Sequence, residues 1–132
     1  MREVFGCGID IEELYRFKYN NPTQPDIPGF ANLVYTNSEI EANLSNQPKL
    51  TFPLCFSCKE AFFKAFGVSW TNSKISWKDI ELLFLAKNNL QKYSIKLSGY
   101  AEELYQEKKI CNIESCFDYT NDYVIFHVIL HS

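Results

Sequence analysis

The stretch FSCKEAFFKAFG (Phe56–Gly67) decides how this chain is read. Its apolar residues Phe56, Ala61, Phe63 and Phe66 recur at helical spacing and supply the buried face of a helix. Pro53 is expected to open that helix, and Gly67 to stand just past its end. Glu60 and Lys64 lie four apart, carboxylate first, among aromatics. One reading is an ordinary surface ion pair, worth about 0.2–0.5 kcal/mol. The other is functional: a carboxylate and an ammonium on one helix face can bind a divalent cation and an anionic phosphate together.

Upstream, Val4 to Ile9 reads as a short strand ending at Asp10. Ile11 to Tyr19 then reads as a helix, with Ile11, Leu14 and Phe17 as its apolar stripe and Glu12–Arg16 as an i,i+4 pair. Asp10 falls between them, at a strand's C-terminal end. It fits a helix N-cap. It also fits a cation ligand, because magnesium typically takes one or two protein carboxylates and completes its shell with water and phosphate. Asp10 and Glu60 would supply those two if the fold brings them together.

The rest of the chain is punctuated clearly. Asn20 to Gly29 carries three prolines and reads as a loop. Thr36-Asn-Ser-Glu39 is a capping-box pattern opening a helix through about Leu44. Ile80 to Leu85 and Tyr93 to Leu97 read as strands, Tyr100 to Lys109 as a helix, and Asn112 to Tyr119 with Tyr123 to Leu130 as a hairpin. Strands and helices mix without a βαβ rhythm. The expected fold class is therefore α+β, an antiparallel sheet packed by helices, in a single domain over residues 1–132.

Composition narrows the partners. With 13 Lys+Arg against 16 Asp+Glu the net charge is −3, which argues against a nucleic-acid binder. No run of 18 apolar residues exists, so no membrane span is expected, and the N-terminus does not read as an export signal. An odd count of 5 Cys without such a signal favours free thiols and a cytoplasmic setting. Aromatic residues make up 16% of the chain, enough to leave some on an associating surface; a homo-oligomer is expected.

Three motifs lead nowhere by spacing alone. Cys55-x-x-Cys58 lacks a second pair at zinc spacing and reads as core. Gly6-Cys7-Gly8 lacks the third glycine of a dinucleotide fingerprint, Ile11 standing in its place. His127 and His131 alternate with apolar residues and read as the outer face of the last strand.

Taken together, four segments resemble a known family. GIDIEELYRF (Gly8–Phe17) resembles the opening motif of the holo-acyl-carrier-protein synthases, the short 4′-phosphopantetheinyl transferases. FSCKEAFFKAFG is similar to their second signature, Trp77-Lys-Asp-Ile-Glu81 to the strand that follows, and Leu97-Ser-Gly-Tyr-Ala101 to the start of their last helix. The matches occur in the family's order across nearly the whole chain.

The resemblance implies Mg2+-dependent transfer of 4′-phosphopantetheine from coenzyme A to a serine of an acyl carrier protein, releasing adenosine 3′,5′-bisphosphate. It implies Asp10 and Glu60 as metal ligands, with both and Lys64 catalytic, and Lys64 and Lys92 against the coenzyme. It implies Arg16 and Lys18 facing the acidic carrier, and a homotrimer with active sites at subunit interfaces.

The chain also departs from the family pattern. Cys55 stands where an Arg is usual, Gln91-Lys92-Tyr93 where Gly-Lys-Pro is usual, and Asp118 and Tyr119 within a Ser-x-Thr-His position. These changes fall where the coenzyme's nucleotide end is expected. They keep a second reading open: a relative that binds coenzyme A or a carrier without efficient transfer. A third reading, a plain oligomeric interaction module, does not account for Asp10, Glu60 and Lys64 together.

Overall fold

Two glycines on one strand fix the architecture. A computed structural model of the chain describes residues 3–17, 30–45 and 48–132. Strand β1 (Val4–Glu13) turns Gly6, Gly8, Asp10 and Glu12 to one side, and a long helix, α3 (Pro48–Phe66), lies directly on that side. A Cβ at Gly6 would sit 2.1 Å from the carbonyl oxygen of Ala65, and one at Gly8 2.0 Å from that of Ala61. The Gly-Cys-Gly segment thus lets a helix backbone touch a strand backbone, which no larger residue permits.

β1 pairs antiparallel with β5 (Tyr123–His131), and β5 with β4 (Asn112–Tyr119), giving the order β1-β5-β4. β2 (Ile80–Phe84) and β3 (Tyr93–Leu97) form a separate antiparallel pair. Helices α1 (Phe30–Val34), α2 (Asn37–Ser45) and α4 (Gly99–Glu107) complete the set. The core lies between α3 and the inner sheet face, where Phe62, Leu54, Val124, Phe126, Val128 and Leu130 are fully buried. The α+β class with antiparallel sheets is as expected.

Two expected boundaries are corrected. The helix expected over Ile11 to Tyr19 is absent where it is described: β1 continues to Glu13, and only a short 3-10 helix, Leu14–Phe17, follows. The helical stripe failed because strand alternation also fits the segment, with polar Asp10 and Glu12 inward and apolar Ile9 and Ile11 outward. Asp10 is consequently no helix cap. Pro53 does not open α3 but lies inside it, five residues after Pro48. It removes only the hydrogen bond to the carbonyl of Lys49, an exposed residue in the first turn, where water can replace it.

Other ends fall as expected. Gly67 adopts φ 77° past α3, and the N–H groups of Gly67 and Val68 donate to the carbonyls of Lys64 and Phe63 at 3.1 Å each, a Schellman closure. The capping box of α2 forms: Thr36 N–H donates to Glu39 Oε1 at 3.0 Å, and Glu39 N–H to Thr36 Oγ1 at 3.2 Å. Cys55 and Cys58 are buried core thiols, each raised above its ordinary pKa chiefly by burial. The expected Asn20–Gly29 loop lies outside the described residues.

Candidate active site

The glycine contact brings Asp10 beside α3. The hydroxyl of Ser57 donates to the Asp10 carbonyl at 3.0 Å, locking strand to helix at the site itself. Two helical turns on, Lys64 Nζ donates to the Ile9 carbonyl at 2.9 Å and to Asp10 Oδ1 at 3.2 Å. The Asp10 side chain is buried, whereas Lys64 is half-exposed and keeps its third N–H for an incoming anion. Lys64 therefore pairs with Asp10 across the strand–helix seam.

Among the described residues no N–H or hydroxyl reaches Asp10 Oδ2, although it is buried. The side chain that interacts with Asp10 from its own strand is another carboxyl, Glu12. Burial pushes the Glu12 carboxyl up to about 8, helped by the neighbouring Asp10 carboxyl, against the pull of Arg16. Glu60 is also raised, first by burial and then by the Asp10 charge, while Lys64 and Arg16 oppose the rise. Asp10 thus has two further acids, Glu12 and Glu60, within electrostatic reach in a partly dry pocket, and one buried oxygen left unsatisfied. That is the electrostatic situation a hard cation relieves.

Of the residues named from the sequence, Asp10 and Lys64 meet here directly, and Glu60 lies within electrostatic reach of both. Arg16 sits at the end of the 3-10 helix with its side chain largely exposed, and donates to Glu12 Oε1 at 2.9 Å. The expected Glu12–Arg16 pair therefore forms, but from a buried strand residue rather than along a helix surface. Lys18 lies outside the described residues. Lys92 is exposed in the β2–β3 connection, where its carbonyl accepts from Leu85 N–H at 2.8 Å; none of the described hydrogen bonds or ion pairs joins it to Asp10, Glu60 or Lys64.

Glu12 was not singled out from the sequence. The signal that could have found it is the period-2 run Gly6, Gly8, Asp10, Glu12, which puts both acids on the face the glycines open.

The departures are also located. Cys55 points into the core rather than toward solvent. Asp118 and Tyr119 are exposed at the end of β4, and Tyr93 is half-buried with its hydroxyl 2.9 Å from Ser115 Oγ. His127 and His131 lie on the outer face of β5, as expected, but are half-buried rather than exposed, and His131 Nε2 meets Glu114 Oε1 at 3.2 Å.

The 4′-phosphopantetheinyl transferase superfamily matches residues 6–126. A holo-[acyl-carrier-protein] synthase of Geobacter sp. (strain M21) is 33% identical over 115 residues, covering 86% of this chain and 85% of that protein. Among solved structures, the holo-[acyl-carrier-protein] synthase of Neisseria meningitidis superimposes with a TM-score of 0.80 at 22% identity, covering 98% of this chain and 100% of that one. The Helicobacter pylori synthase, solved in complex with coenzyme A, gives 0.72 at 23% identity, covering 94% and 98%. At these identities the two structures bear on the fold alone, and the fold agrees. With its motifs in order, its fold shared and its sequence matched nearly end to end, the chain belongs to the 4′-phosphopantetheinyl transferase superfamily, among the holo-[acyl-carrier-protein] synthases.

Proposed function

We propose that this chain, acting as one domain, transfers 4′-phosphopantetheine from coenzyme A to a serine of an acyl carrier protein and releases adenosine 3′,5′-bisphosphate. The observation that carries the reading is the buried Asp10 carboxylate, one oxygen held by Lys64 and the other unsatisfied, in the electrostatic field of Glu60.

The donor set fits Mg2+. It is all oxygen, which suits a hard cation. Asp10 and Glu60 would therefore hold the ion jointly with water and the substrate's phosphates. When bound, the ion would withdraw charge from the diphosphate. Lys64 holds the phosphate charge that develops as the phosphorus is attacked. Glu60, whose raised basicity suits proton transfer, orients the serine hydroxyl and takes its proton directly or through a water. Arg16, with Lys18 beyond it, presents positive charge to the acidic carrier.

We propose a homotrimer, and the outer face of the three-stranded sheet supports association. Ile9 and Ile11 of β1, with Tyr123 and Ile125 of β5, lie exposed side by side, Ile11 directly opposite Ile125. Such a contiguous apolar face marks association. Lys92 would then act on a neighbouring copy's coenzyme. Light scattering at micromolar concentration is expected to give three chains; a monomer would refute this part. The cytoplasm, where coenzyme A and carrier proteins meet, is the proposed setting.

The reading is tested by mass spectrometry of an apo carrier incubated with coenzyme A, Mg2+ and this chain. One added phosphopantetheine is expected. The buried Cys55 and the acidic Asp118 favour a second reading, coenzyme or carrier binding without turnover. Coenzyme A binding with an unmodified carrier would select it.

A further inference from the structure

We infer that Trp70 is a nucleotide-binding residue of this chain: its exposed indole stacks the adenine of coenzyme A, while Lys74 meets the 3′-phosphate. The inference rests on the transferase reading above and assigns one end of the donor to the loop after α3.

On α3, Phe56, Glu60, Phe63 and Lys64 follow one another at helical spacing and share a face. An aromatic wall rises beside it. Trp77, which is buried, stacks on Phe56 with ring centres 5.3 Å apart and meets Phe63 edge-on at 5.2 Å. Trp70 lies tilted against Trp77 with 5.9 Å between ring centres, yet 49% of it is exposed. The ladder of rings that begins beside Glu60 therefore ends on a large apolar ring in solvent.

The loop holds that ring before any ligand arrives. Ser69 N–H donates to Asn72 Oδ1 at 2.8 Å, the Ser73 hydroxyl donates to the Ser69 carbonyl at 2.7 Å, and the Ser69 and Thr71 hydroxyls are 2.9 Å apart. Four residues after Trp70, the exposed Lys74 ammonium sits 5.6 Å from the centre of the Tyr100 ring, which is also exposed. None of the ion pairs among the described residues uses Lys74. A flat apolar face with a cation beside it matches a purine that carries a phosphate.

Direction along the site assigns the nucleotide, rather than the pantetheine arm, to this ring. The serine oxygen bonds to phosphorus as the bond from phosphorus to the nucleotide's phosphate oxygen breaks, and the two oxygens lie roughly in line. In the transferase reading the carrier meets Arg16, on the 3-10 helix whose Phe17 packs edge-on against Phe56 at 5.6 Å. Trp70 lies beyond Gly67, past Lys64 and the C-terminal end of α3. A serine entering from the Phe56 side drives the leaving nucleotide toward the Lys64 side, where Trp70 and Lys74 stand.

The test is titration of the full chain in Mg2+, by calorimetry and tryptophan fluorescence, on wild type, Trp70→Ala, Trp70→Phe and Lys74→Gln. The probes are coenzyme A, 3′-dephospho-coenzyme A, adenosine 3′,5′-bisphosphate and 4′-phosphopantetheine. Trp70→Ala should weaken adenosine 3′,5′-bisphosphate binding and raise KM for coenzyme A about 5- to 100-fold, the range of one base–aromatic stack, with kcat little changed. Phosphopantetheine should bind Trp70→Ala as it binds wild type, and Trp70→Phe should recover most of the loss. Adenosine 3′,5′-bisphosphate should quench wild-type fluorescence, and quench less in Trp70→Phe, where Trp77 alone of the 2 Trp remains. Lys74→Gln should lower the preference for coenzyme A over its 3′-dephospho form about two- to fivefold, the range of an exposed charge pair. Unchanged nucleotide affinity in Trp70→Ala, an equal loss for phosphopantetheine, or no quenching in wild type would overturn the stack. An unchanged preference in Lys74→Gln would overturn the part given to Lys74. Trp70→Phe and the wild-type quenching decide if Trp70→Ala folds poorly. Transfer to the carrier with a KM independent of Trp70 sinks only this inference, whereas absence of coenzyme binding and transfer in wild type sinks the reading beneath it.

Discussion

Glu60→Gln lowers phosphopantetheine transfer by roughly 10³-fold, through loss of both a cation ligand and a proton acceptor. The substitution keeps the size and shape of the side chain and removes its charge. The helix carrying it is fastened independently of that charge: the two glycines of β1, the Ser57 hydrogen bond and the core aromatics of α3 all stay in place. Folding, read by circular dichroism and thermal melting, should therefore survive while turnover collapses.

Two readouts separate the roles of Glu60. If it acts mainly on the cation, raising Mg2+ restores much of the rate. If it acts mainly on the serine proton, excess Mg2+ does not help. The wild-type rate should also fall on the acid side at a pH above the ordinary carboxylate value of 4.5, since burial and the Asp10 charge raise the pKa of Glu60 and protonation removes its function. A Glu60→Gln enzyme with full transfer at ordinary Mg2+ would remove Glu60 from the chemistry.

That site was partly legible in the sequence, and the reason lies in the residues. Glu60 and Lys64 are visible because one helix carries both, and helical period is robust over the many residues of α3. Asp10 was legible as a candidate but its local structure was not. Over Ile9 to Phe17 the apolar positions satisfy a helical stripe and a strand alternation at once, and inverted burial decides between them. Ile9 and Ile11 face outward while Asp10 and Glu12 face in. Local pattern scores that arrangement as wrong for a strand. It becomes right only when a helix backbone covers Gly6 and Gly8, a tertiary contact that composition does not announce. Glu12 was hidden by the same ambiguity: paired with Arg16 on an imagined helix it is a surface residue, and on the real strand it is a buried one.

Lys59→Met costs about 3–5 kcal/mol of stability, the range for a buried ion pair broken from one side. Lys59 and Glu39 are both fully buried and meet at 2.8 Å. Lys59 Nζ also donates to the Ile80 carbonyl at the start of β2. Glu39 accepts from Leu82 N–H at 3.0 Å while its other oxygen serves the α2 cap. One ion pair therefore ties α2, α3 and β2 together. Removing the ammonium strands a carboxylate with no access to water, and methionine fills the space without supplying charge.

Adding Glu39→Gln to Lys59→Met should recover part of the loss, because the buried charge goes while one carbonyl oxygen can still accept a backbone N–H. Urea melts of the four forms measure this, and a Lys59→Met protein within about 1 kcal/mol of wild type would show that Glu39 finds another partner. The consequence reaches the active site. Lys59 and Glu60 are adjacent on α3, the first fully buried and the second half-buried within electrostatic reach of Asp10, so a shift of the helix at the Lys59 anchor would carry Glu60 with it. Lys59→Met should accordingly lower kcat even at temperatures where the chain remains folded, and Glu39→Gln in that background should restore stability more than rate.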